Sequence, residues 1–227
     1  CGDIAQTVSQ SLGWAHLTVA AGVAEAVAGA DLVVIDFEPA EAEARAALVA
    51  PHLRAGQVVH FNTHGYWPAL RFAQFLETAG VHGVILTESI APLSGVGLRD
   101  GRLSAQWLRR GLPIAAFPAT GIGVALERLR AIHPTAVPAQ DVLETGLANL
   151  NMLVHPGIAL VNVGYFDQAA AAGGTASFYG AGNTESASRL TTALDHERQA
   201  LCAAWGVPWT SVNDYLASFY DSHGDSF

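Results

Sequence analysis

The chain has no lysine; all eleven of its basic residues are arginine. A Schiff-base lysine, a lysine general base and a phosphate-loop lysine are therefore excluded from the chemistry of these residues. Arginine suits bidentate carboxylate binding, although most arginines of a globule are solvated surface. Cysteine is almost as scarce. Cys1 and Cys202 lie too far apart to form a metal-ligand spacing, so reduced thiols in a cytoplasmic protein are expected. The histidines are scattered, and no catalytic metal is expected. Positive charge is short overall: a formal charge of −9 argues against nucleic acid as a partner. Only 14% of residues are charged and 51% are hydrophobic, which excludes a disordered chain. At 227 residues the chain can bury a real core, as one large domain or two small ones. No apolar run has the length and flanks of a membrane span, and no secretory signal opens the chain, so no membrane partner is expected. The chain begins at Cys1 rather than Met and ends with the segment Tyr220–Phe227. A piece of a longer protein is the expectation.

What is present alternates in type along the first half. Val23 to Ala28 reads as a short helix, and Ala30 to Phe37 (ADLVVIDF) as an apolar strand with acids only near its ends. Glu41 to His52 is Ala-rich and helical, Gln57 to Phe61 (QVVHF) a buried strand, Trp67 to Ala79 an amphipathic helix and Gly83 to Leu86 a third strand. Residues 94–105 read as a hairpin, Leu112 to Ala116 as a strand and Ile122 to Ile132 as a helix. Strands alternating with helices predict an α/β fold, a parallel sheet flanked by helices. Ligands of such sheets sit at the carboxyl ends of the strands. A Pro-spaced connector, His133 to Pro138, sets the expected boundary between domains of residues 1–137 and 138–227. Beyond it residues 141–166, 186–205 and 211–220 read as helices around a Gly-rich stretch at 173–183, an all-helical domain.

One helical run stands out. Glu144 to Asp167 reads ETGLANLNMLVHPGIALVNVGYFD, apolar enough for a buried helix. On an ideal helix of about 100° per residue, Glu144, Asn151, His155 and Asn162 fall within roughly 40° of one line. Buried polar groups cost free energy unless met, so the stripe predicts a polar cleft facing it. Pro156 removes one helical hydrogen bond, and a kink is expected there.

DVLETGLANLNMLVHPGIALVNVGYFD resembles the helix that opens the helical domain of the octopine/nopaline (opine) dehydrogenases, and FYGAGNTESASRLTTALDHER resembles that family's next helical segment. GADLVVIDFEP, GQVVHFNTHG and IAAFPATGIGVALERL resemble later parts of its dinucleotide-binding domain. The resemblance implies a Rossmann-type domain, here lacking its N-terminal part, followed by an all-helical domain. It implies NAD or NADP as cofactor and reductive condensation of a 2-oxo acid with the amino group of an amino acid. The implied partners are those small molecules, and a homodimer is compatible with the reading. The family's catalytic histidine matches His155, and its partner there is a carboxylate beyond the end of this chain. No GxGxxG phosphate loop occurs in the sequence, and Asn-Thr-His-Gly stands where the family usually has Asn-Pro-Gly and a basic residue.

A protonated imine is the better hydride acceptor, and a histidine titrating near neutrality can supply and remove that proton. His155 is therefore the expected general acid/base, against the alternative of a core histidine. Asn151, one turn earlier, would orient a substrate carboxylate or the imidazole; Asn162 is as readily structural, and Glu144 reads as a helix cap. Tyr179, Asn183 and Thr184 precede a helix whose N-terminus suits a carboxylate, with Asn183 or Thr184 as its cap. Phe37, Glu38 and Pro39 after one strand, and Asn62 and Thr63 after the next, are the expected cofactor contacts. Glu88, at another strand end, would line a cleft between domains or cap the next turn. Arg198 reads as a salt-bridged helix arginine rather than a ligand clamp. Two other readings remain open: a dehydrogenase of a simple 2-oxo or 2-hydroxy acid, and a non-catalytic ligand-binding homologue.

Overall fold

A computed structural model describes residues 18–36, 41–63, 66–99, 102–108 and 111–220 of the chain. The chain divides into two compact units, residues 1–145 and 146–227.

In the first unit α1 (Val23–Val27), β1 (Leu32–Ile35), α2 (Ala42–Val49), β2 (Val58–Phe61), α3 (Pro68–Thr78) and β3 (Ile85–Ser89) alternate as the apolar runs predict. The hairpin strands β4 (Ser94–Arg99) and β5 (Arg102–Leu108) follow, then β6 (Pro113–Phe117), α4 (Ile122–Leu129) and a two-residue strand β7 (Val137–Pro138). β7 lies in the Pro-spaced connector, where its two residues carry no periodic signal. The main sheet has the order β1-β2-β3-β6-β7. β1 pairs parallel with β2, β2 with β3, and β6 with β7. β3 with β6 is the antiparallel exception. A parallel return needs a long crossover, usually a helix. Between β3 and β6 the chain makes the β4–β5 hairpin instead.

β2 is buried at all four positions, as befits a central strand covered on both faces. Its Phe61 meets Phe72 of α3 edge to face, with centroids 5.2 Å apart. Around them Ile35, Leu53, Val59, Leu76 and Leu86 form the main core. Trp67 takes a left-handed conformation (φ 50°, ψ 46°) just before Pro68, the first residue of α3. The α region is disfavoured before proline, and the turn leaves the Ala69 N–H at the open start of that helix.

α5 (Val142–Leu147) precedes the helices of the second unit: α6 (Asn151–Val161), α7 (Val163–Ala171), α8 (Glu185–Trp205) and α9 (Val212–Tyr220). The expected single helix over residues 141–166 is thus three. The kink predicted at Pro156 does not mark the break, since Pro156 lies inside α6. The breaks fall at residues 148–150 and at Asn162, where the axis turns by 67°. Asn162 explains the second. Its amide Nδ2 donates to the Ile158 carbonyl at 2.8 Å and to the Gly182 carbonyl at 2.7 Å. One side chain therefore satisfies an end carbonyl of α6 and ties the Gly-rich segment to it.

Gly157 lets α6 and α8 approach closely: a Cβ there would stand 2.3 Å from Thr191 Oγ1. Leu153, Val154, Ile158, Ala187 and Val212 form the core of this unit. Arg198 is a buried structural arginine. It pairs with Asp195 at 2.6 Å and donates to the Leu147 carbonyl at 3.1 Å. Asp195 in turn accepts the Val212 N–H at 3.0 Å, closing the start of α9 onto α8. Among the described residues no single helix is long and apolar enough to cross a membrane; the bent pair Val142–Val161 and Val163–Ala171 passes only on length and composition.

Candidate active site

His155 sits on α6 one turn after Asn151, and the helix gives it one apolar side and one open side. Its Nε2 is 2.7 Å from the Tyr179 hydroxyl. The imidazole meets the edge of Phe178 with centroids 5.5 Å apart and planes at 87°. Phe178 is stacked on Phe166 at 5.8 Å. Partial burial among these rings lowers the pKa of His155 below its ordinary value. A half-buried, mainly neutral imidazole is a proton acceptor near neutral pH, which suits acid–base exchange.

The segment that brings Tyr179 to His155 is held at both ends. The Ser177 N–H donates to the Tyr165 hydroxyl at 3.1 Å, and Asn162 holds the Gly182 carbonyl at 2.7 Å. Gly182 admits no side chain, because a Cβ would lie 2.4 Å from the Phe178 carbonyl oxygen. Thr184 caps α8, its Oγ1 accepting the Ala187 N–H at 3.3 Å, while Asn183 is exposed beside it. Asn151 opens α6, its N–H donating to Asn149 Oδ1 at 3.1 Å. Of the four-residue stripe, Asn151 and His155 share α6, and Asn162 ends it. Glu144 lies on α5 but is not its cap: Asp141 accepts the N–H groups of Leu143 and Glu144, while Glu144 accepts the Gln140 N–H ahead of the helix at 2.6 Å.

In the first unit the carboxyl ends of β1, β2 and β3 share one edge of the sheet. Phe37, Glu38 and Pro39 lie outside the described residues. Asn62, at the end of β2, donates to Asp36 Oδ2 at 3.2 Å just past β1 and accepts the Leu93 N–H at 2.8 Å from the residue before β4; Thr63 follows it. Glu88, near the end of β3, is 2% exposed. Its Oε2 accepts the Ala69 N–H of α3 at 3.1 Å and its Oε1 the Thr145 hydroxyl at 3.0 Å. Burial outweighs these two bonds and pushes its carboxyl up to about 7.

Two buried groups carry no motif. His60 and His133 are fully enclosed and each leaves Nε2 without a partner. Burial, aided by His133, depresses the His60 pKa to about 3. The only sequence signal is a histidine inside the apolar run VVHF. Among the described residues no three of His, Cys, Asp and Glu gather into a metal-binding group.

Residues 138–227 match the family described as NAD/NADP octopine/nopaline dehydrogenase, alpha-helical domain. The match covers His155 and every element around it. Beyond that domain, the opine dehydrogenase of Arthrobacter sp. (strain 1C) is 28% identical over 202 residues, covering 88% of this chain and 54% of that protein. The chain is similar to the opine dehydrogenases, most specifically over residues 138–227. The fold agrees: an octopine dehydrogenase solved with NADH and L-arginine superposes with a TM-score of 0.64 at 17% identity, over 85% of this chain and 50% of that one. A PanE/ApbA family ketopantoate reductase from Ralstonia eutropha JMP134 superposes at 0.52 with 17% identity, over 95% of this chain and 68% of that one. The chain thus spans about half the length of the opine dehydrogenases it matches.

Proposed function

We propose that the protein is an NAD(P)H-dependent opine dehydrogenase, reducing the imine formed between a 2-oxo acid and the amino group of an amino acid. The observation that carries this is His155: a half-buried imidazole, hydrogen-bonded through Nε2, within the segment that matches the family's helical domain. As general acid/base it protonates the imine and takes up the proton released on return. Asn151, Tyr179, Asn183 and Thr184 are its candidate substrate contacts, with the start of α8 favouring a carboxylate. The names of the structural relatives, octopine dehydrogenase with L-arginine and with pyruvate, support this substrate class. We take residues 138–227 as the helical domain, on the span of the family match.

Three adjacent parallel strand ends form the kind of edge at which a doubly wound sheet takes a dinucleotide. The sequence has no Gly-rich phosphate turn, so these residues supply one part of such a site. The cofactor, when bound, provides the hydride. Phe37, Glu38, Pro39, Asn62 and Thr63 are the proposed contacts, and Glu88 a buried carboxyl behind that edge. The free, buried thiol of Cys202 is compatible with the cytoplasm.

The test is an assay of the full-length protein with NADH or NADPH, a panel of 2-oxo acids and a panel of amino acids. Amine-dependent oxidation of the cofactor is expected. His155→Gln should lower turnover by about 10²–10⁴ with the fold retained. The fold likeness to a ketopantoate reductase supports a second reading, reduction of a simple 2-oxo acid. Turnover that needs no amine would favour that reading.

A further inference from the structure

Tyr179 lies 24 residues from His155 in sequence, yet its hydroxyl and His155 Nε2 are 2.7 Å apart. The contact is not that of a chance surface tyrosine. Asn162 and Tyr165 fix the segment on either side of it, and Gly182 is the only residue type that fits beneath the Phe178 carbonyl. Phe178 closes one side of the imidazole and stands nearly perpendicular to the Tyr179 ring, with centroids 5.0 Å apart. The phenol itself is 63% exposed, so it contributes little to the core.

We propose that Tyr179 is the positioning residue of His155: its hydroxyl donates to Nε2 and holds the neutral imidazole as the Nδ1–H tautomer. A phenol has a hydrogen to give, and the bare nitrogen of a neutral imidazole is its strong acceptor; the bond made by one ring nitrogen sets the state of the other. Two consequences follow. The basic lone pair is at Nε2, and any proton reaching it comes along the line the Tyr179 hydroxyl now occupies. Nδ1–H is left as a donor, suited to a carboxylate. The role of this tautomer in turnover rests on the reading of His155 as acid–base group; the tautomer itself does not.

Long-range proton–nitrogen correlation spectra of the nitrogen-15-labelled chain test it, with the His155 signals assigned through His155→Gln. The wild type should show neutral His155 protonated at Nδ1. Tyr179→Phe keeps the ring and loses only the hydroxyl, and should move His155 to the Nε2–H form or a mixture. Nε2–H in the wild type, or an unchanged tautomer in Tyr179→Phe, would overturn the proposal. In the full-length enzyme Tyr179→Phe should lower kcat by roughly tenfold with KM changed less, a smaller loss than for His155→Gln. An unchanged kcat would overturn the positioning role. Full activity of His155→Gln would instead remove the proposed function and leave the tautomer standing.

Discussion

Glu88→Gln should make the protein relatively more stable as pH rises. In the folded chain the Glu88 carboxyl is pushed up to about 7 from an ordinary value near 4.5, mainly by burial. Below about 4.5 it is protonated in both folded and unfolded chains. Between there and about 7 the folded chain holds a proton that the unfolded chain has lost, so stability falls with rising pH across this window. At 1.36 kcal/mol per pKa unit the loss is about 3 kcal/mol, complete above pH 7. Glutamine keeps the shape and never ionises. Its Oε1 can accept the Ala69 N–H, and its amide can face Thr145, whose hydroxyl already has the Val142 carbonyl within 3.3 Å. Urea denaturation of both proteins from pH 4 to 8 is the assay. The stability of the variant relative to wild type should rise by about 3 kcal/mol between pH 4.5 and 7.5, whatever its constant offset. A difference that stays flat, or that moves against the variant, would refute the account of Glu88 as a carboxyl whose charge is penalised by burial.

His60 has the opposite sign. Its folded pKa is depressed to about 3, so its contribution is present above about 6.5 and is lost as pH falls towards 3, roughly 5 kcal/mol in all. His60→Leu should flatten that acid limb in the same titration. Asp195→Ala should cost about 3–5 kcal/mol by leaving Arg198 buried without its partner, read as a lowered urea midpoint. Gly157→Ala should destabilise by about 1–3 kcal/mol through its clash with Thr191 Oγ1, and Thr191→Ala in the same chain should recover most of it in a double-mutant cycle.

Some features are local and could be read directly from residue order. The runs ADLVVIDF and QVVHF contain the strands Leu32–Ile35 and Val58–Phe61, because buried parallel strands are made of consecutive apolar residues. The change from alternating elements to helices alone follows the same logic. His155 was legible as a polar residue in an apolar run and through the family resemblance. Arg198 was legible as an ion-pairing arginine, with Asp195 three residues before it.

Tertiary structure decided what depends on partners distant in sequence. The 100° arithmetic assumed one helix from Glu144 to Asp167, and a proline looked like its weak point. The turn occurs at Asn162 because its amide finds the Gly182 carbonyl, 20 residues away. Strand direction was equally hidden: the pattern of β6 suits either orientation, and the hairpin before it makes the pairing with β3 antiparallel. Sequence marked both His155 and Tyr179 as site residues, but their 2.7 Å contact exists only because the Gly-rich segment folds back across α6. Apolar periodicity records which side of an element is buried. It does not record which polar group meets which, since that pairing is fixed only when separate segments pack.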